Sequence, residues 1–94
     1  MKANKRKAAA VYLEHEIAYA AAMAPEAGDE QHKALMVTYD KIFALKTKVA
    51  RWLHMLAYIR IMDVAYGDES GFDRRDLEAS LMKLRPRSLA LAAP

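Results

Sequence analysis

Ninety-four residues, of which 54% are hydrophobic and 29% charged, suit one small domain, residues 1–94, able to bury a single core. The absence of cysteine excludes disulfides and thiolate metal sites, so oligomerisation is the remaining common way to bury more surface. A formal charge of +3 and a pI near 9.3 are basic without being extreme.

Lys2, Lys5, Arg6 and Lys7 crowd the start of the chain. Together with the apolar run from Ala8 they imitate a secretion signal, until Glu14, His15 and Glu16 interrupt that run. No stretch approaches the ~20 apolar residues that span a bilayer, so no membrane partner is expected and the expected location is the cytoplasm. From about residue 5 to residue 24 strong helix formers dominate, with Leu13, Ile17, Ala20, Ala21 and Ala24 forming an apolar stripe and Val11, Ala18 and Ala22 widening it. Glu14 and Glu16 are expected to face outward, away from that stripe. Pro25 stops the first helix, Gly28 marks a turn, and Asp29 is the expected N-cap of the next.

A second helix is expected from about 29 to 66, because that stretch holds neither glycine nor proline. Its length would be on the order of 55 Å at 1.5 Å per residue. Leu35, Thr38, Ile42, Leu45, Val49, Trp52, Leu56 and Ile59 alternate steps of three and four, the spacing of coiled-coil-like packing. Up to Arg51 the helix has one wet side, carrying Asp40, Lys41, Lys48 and Arg51. Beyond Trp52 the wet side vanishes, and a helix apolar all round must be covered all round. Gly67 ends it, Asp73 is placed to cap a third helix over about 74–84, and Pro86 stops that one. The apolar tail from Ser88 is placed to dock on a neighbour. The expected fold is all-α: a helical hairpin with one long central helix and a short third helix, in a small bundle.

Chemistry is sparse in this pattern. His15, His32 and His54 lie in separate segments without metal-ligand spacing, so structural or surface roles are expected and no metal or cofactor. The stretch from Tyr66 to Glu78 has the outline of a calcium loop, but Asp73 stands where the apolar anchor belongs and Leu77 where the bidentate Glu belongs. No nucleophile, paired carboxylates or glycine-rich loop supports catalysis, and no catalytic residue is assigned. Arg60 and Asp63 interrupt the apolar half of the long helix at i, i+3 spacing, which predicts a buried ion pair.

Trp52, Met55, Ile59, Met62 and Tyr66 are of types enriched at protein–protein contacts and exceed what a short third helix covers. They predict a partner or self-association surface, most simply a homodimer. The expected function is a non-enzymatic interaction module, regulatory, adaptor or inhibitory, comparable in size and helical character to phage and plasmid accessory proteins. The alternative is nucleic-acid binding through Lys2, Lys5, Arg6, Lys7, Lys41, Lys48 and Arg51.

Overall fold

The computed structural model describes residues 2–67 and 74–90, with side chains from Lys5 onward. Over these residues the chain is all-helical, without strands: α1 (Lys2–Met23), α2 (Asp29–Phe43), α3 (Ala50–Tyr66), α4 (Arg74–Lys83) and α5 (Arg87–Ala90). Among the described residues no helix is long and apolar enough to cross a membrane. The expected capping role of Asp73 lies outside the described residues.

The single helix expected over 29–66 is two helices, broken between Phe43 and Ala50. Leu45 N–H bonds the carbonyl of Ile42, and Ala50 N–H bonds that of Thr47, tightening the chain into a turn. Burial explains the break. A straight rod would leave Leu53, Leu56 and Ala57 without cover, whereas the folded-back chain exposes none of their surface. Each buried leucine contributes ~1.5–3 kcal/mol, more than the ~1 kcal/mol net of each helical hydrogen bond given up. The longest extent of the molecule is 40 Å, shorter than the rod alone would be. Thr47, β-branched and between two lysines, is a poor helix former at the break, yet no glycine or proline announces it.

The break also resets the helical phase. Leu35, Thr38, Ile42 and Leu45 are buried as their spacing implies. Past the turn the buried line becomes Leu53, Leu56, Ala57, Arg60 and Asp63, while Trp52 and Ile59 are only half-buried. In α1 the expected stripe is likewise displaced. Leu13 and Ile17 are exposed, and the inward face is Ala8, Val11, Tyr12, His15, Ala18 and Ala22. The polar residues of that face succeed inside because each finds a partner: Tyr12 accepts from Arg85 and His15 from Arg60.

The helices run up, down, up, down. Tyr39 of α2 bonds His54 of α3, whereas Leu35 packs near Ile61 and Val64, which makes α2 and α3 antiparallel. Tyr12 meets Trp52 edge-on at 6.2 Å and Tyr19 reaches Asp63, so α1 and α3 run parallel. Trp52 Nε1–H donates to the carbonyl of Leu81 at 2.9 Å and Arg60 holds Glu78, so α4 returns antiparallel. Two apolar clusters result. The larger joins Ala8, Tyr12, Ile42, Leu45, Leu53, Leu56, Leu81 and Leu89, and the smaller joins Ala18, Ala22 and Leu35. Leu89 shows that the tail, expected to dock on a neighbour, plugs this chain's own core as far as Ala90.

Caps set the element ends. Gly28, not Asp29, is the N-cap of α2, and its N–H donates to Gln31 Oε1 at 2.8 Å. Asp29 and Glu30 then fall in the first turn, where the helix dipole favours them. Gly67 ends α3 at φ 54°, in the left-handed region that favours glycine, and its N–H returns to the carbonyl of Asp63.

Candidate functional site

Two sets of side chains on α3 stand out, one facing inward and one outward. The inward set centres on Arg60, which is 3% exposed. Its Nε and Nη2 donate to Glu78 Oε1 at 3.0 and 2.7 Å, and its Nη1 donates to Glu16 Oε1. The same Nη1 lies 3.3 Å from His15 Nδ1, and the guanidinium carbon lies 4.5 Å from the centre of the Tyr19 ring. Tyr19 in turn donates its hydroxyl to Asp63 Oδ2 at 2.8 Å. Arg60 and Asp63 are both buried, but each takes its partner from another helix instead of from the other. At i, i+3 both belong to the inward face, where α1 and α4 supply better-aimed acceptors and donors. The expected pair is therefore a three-helix ionic hub.

The electrostatics of the hub follow from burial. Burial alone would lower the Arg60 pKa, but the hydrogen bonds it donates to Glu16 and Glu78 more than offset that and hold the guanidinium charged. Burial, then the charge of Arg60, pushes His15 down to about 3, so its imidazole is neutral. Because a guanidinium only donates, His15 Nδ1 accepts and the ring proton sits on Nε2, which is buried without a hydrogen-bond partner. Burial and then the bond to Asp63 raise the Tyr19 hydroxyl. Arg60 is thus held charged, while His15 and Tyr19 are held neutral. Such a hub fixes the register of α1, α3 and α4 and is ill suited to proton transfer. Among the described residues no grouping of three or more His, Asp or Glu could hold a metal ion.

The outward set lies on the opposite side of α3. At 100° per residue Arg51, Met55, Tyr58, Met62 and Tyr66 share a face turned away from Leu53, Ala57 and Arg60. Met55 is 51% exposed, and Tyr58 and Tyr66 are each 53% exposed. Between this face and α4 runs an apolar groove of about 550 Å³, lined by Met55, Tyr58, Ile59, Leu77, Leu81 and Leu84 among others. His54 forms one wall and meets the exposed Phe43 ring at a tilt of 59°, centres 4.4 Å apart, which carries the patch onto α2.

The residues expected at a partner surface are divided by the fold. Met55 and Tyr66 lie open on this face, Met62 is half-buried within it and Ile59 half-buried at its edge, and Trp52 turns inward to bond Leu81. Tyr58, Phe43, Leu77 and Leu84 belong to the patch and were not expected there. Tyr58 was legible, since it stands three residues after Met55 and four before Met62; the others required knowledge of which helices flank α3. Of the expected nucleic-acid contacts, Lys5, Arg6, Lys7, Lys48 and Arg51 are exposed. Lys41 is held 2.7 Å from Glu14, and the Lys2 side chain lies outside the described residues. Compared with protein-family models, curated proteins and solved structures, the chain shows no match.

Proposed function

We propose that this chain is a non-enzymatic interaction module that associates with a second copy of itself through the outer face of α3 and the groove beside α4. Regulatory, adaptor and inhibitory roles are all open to such a module. The observation that carries this reading is the inversion of α3, whose exposed face is apolar while its buried face holds an arginine and an aspartate. An exposed contiguous apolar patch on a small soluble chain marks an interaction site.

A second copy fits this surface in size. The exposed parts of Phe43, Met55, Tyr58, Tyr66, Leu77 and Leu84 add up to on the order of 700 Å², near the ~800 Å² per partner of a standard interface. It also fits in pattern. Met55, Tyr58, Met62 and Tyr66 step by three or four, so an isologous pairing lays this face into its own copy, ridge into groove.

Sedimentation equilibrium of the full chain tests the reading. The expected result is a dimer at high micromolar concentration that a Met55→Glu, Tyr58→Glu double change converts to a helical monomer. A wild-type chain that stays monomeric at that concentration sinks it, and so does an undiminished dimer mass in the double variant.

A further inference from the structure

The order of the helices gathers charge at one end of the molecule. Because α1 and α3 start where α2 and α4 finish, four helix ends meet around the larger apolar cluster. Lys5, Arg6 and Lys7 directly precede Ala8 of that cluster, and Lys46 and Lys48 directly follow Leu45. Arg51 stands beside Trp52 and Leu53, and Lys83 and Arg87 bracket the stretch between Leu81 and Leu89. All eight of these cations are exposed. Near them Glu14 is already paired with Lys41, which leaves Asp40 as the exposed carboxylate of this end among the described residues. The opposite end carries Glu26, Asp29 and Glu30 around the turn between α1 and α2. A chain of net charge +3 thus holds a much larger positive charge at one pole.

Helix stability does not account for this arrangement. Cations after α2 and at the end of α4 suit the negative ends of their own helix dipoles. Those in the first turns of α1 and α3 do not: Lys5 and Arg51 sit near positive ends and Lys48 just before one, while Arg6 and Lys7, one turn into α1, gain nothing from the dipole. Each placement by a positive end costs a few tenths of a kcal/mol. Ordinary solvated surface charge also fails as an account, because cations and carboxylates would then be interspersed here as Lys33 and Arg75 are among the carboxylates of the opposite end.

We infer that this basic pole binds the phosphate backbone of a nucleic-acid duplex. Its cations come from three stretches of chain gathered around one end of the bundle, not from one helix aligned to lie along a groove. Such a surface contacts phosphates and reads no bases. Arg and Lys in a cluster of this size supply the counterion-release attraction that governs sequence-independent binding. This inference does not rest on dimerisation through α3, since most of these cations lie outside that face.

Fluorescence anisotropy with a labelled random-sequence 20-base-pair DNA duplex tests it, using the full chain. If about four of the eight cations meet phosphate, the slope of log affinity against log salt is roughly −3.6. Lys46→Glu with Lys48→Glu, and separately Lys83→Glu with Arg87→Glu, are expected to weaken binding tenfold or more at low salt. Each is also expected to flatten the slope by about one, since about half of these cations meet phosphate. Lys33→Glu with Arg75→Glu makes the same change in charge at the opposite end and is expected to shift affinity less than threefold. Scrambling the duplex sequence is expected to change nothing. Absence of duplex binding at low salt overturns the inference, as does equal weakening by the control pair. Vesicles containing phosphatidylserine form the comparison arm. Binding to them without binding to the duplex assigns the pole to a membrane surface and also overturns the inference.

Discussion

The two faces of α3 differ in a way opposite to the usual rule for a helix. Its inner face carries Arg60 and Asp63 among leucines, and its outer face carries Met55, Tyr58 and Tyr66 against water. The inner charges are tolerated because α1 and α4 bring Glu16, Glu78 and Tyr19 to meet them. Among the described residues nothing covers the outer apolar side chains in this way, and Met55, Tyr58 and Tyr66 are each about half exposed. What a side chain contributes therefore depends on which helix stands opposite it, and polarity alone predicts the wrong side.

The largest expected effect comes from breaking the inner face. Arg60→Ala leaves Glu16 and Glu78 without their shared cation and is expected to cost ~3–5 kcal/mol in urea unfolding. A triple change, Arg60→Met with Glu16→Gln and Glu78→Gln, is expected to recover much of that loss, because it removes the charges together. Should the single and triple variants be equally unstable, the hub's charges are not what Arg60→Ala exposes. Leu56→Ala, in the same inward line but wholly apolar, is expected to cost ~2–5 kcal/mol through the cavity it leaves.

Acid sharpens the comparison next. His15 titrates near 6.5 when unfolded and about 3 when folded, so between those values the unfolded chain binds the extra proton. Stability is then expected to be full above pH ~6.5 and to fall as pH drops toward 3, by at most ~1.4 kcal/mol per unit. His15→Leu should remove that part of the acid sensitivity and with it the buried, unpartnered Nε2–H. Denaturant midpoints across this range for both chains decide the matter, since an unchanged slope in the variant would clear His15 of the effect.

The smallest effect on folding is expected on the outer face. Met55→Glu with Tyr58→Glu, compared at dilutions where only monomer is present, should move the unfolding free energy by no more than ~1 kcal/mol. A loss as large as that of Leu56→Ala would mean that this face is packed within the chain and is no docking surface.

How much was legible varies along the chain. The turn at Pro25 and Gly28, the stop at Gly67 and the helices on either side follow from local rules, since backbone preferences act over a few residues. The dense apolar wrap beyond Trp52 was also readable, and it does lead to an exposed apolar face at Met55 and Tyr66. The break at 44–49 was not readable, because no local breaker marks it and the gain comes from contacts with α1 and α2. That one break shifts the inward line to Leu53, Leu56 and Arg60, which is why Trp52 and Ile59 do not sit where the spacing put them.

The sequence by itself determined that this protein is helical, free of cysteine, basic, and richer in apolar side chains past Trp52 than one short helix can hide. Only the tertiary structure decided which of those side chains stay outside, that Arg60 binds Glu16 and Glu78, and that cations from three stretches of the chain share one pole. Helix formation depends on neighbours a turn away, whereas partner choice depends on residues 18 to 45 positions apart that meet only after the chain doubles back.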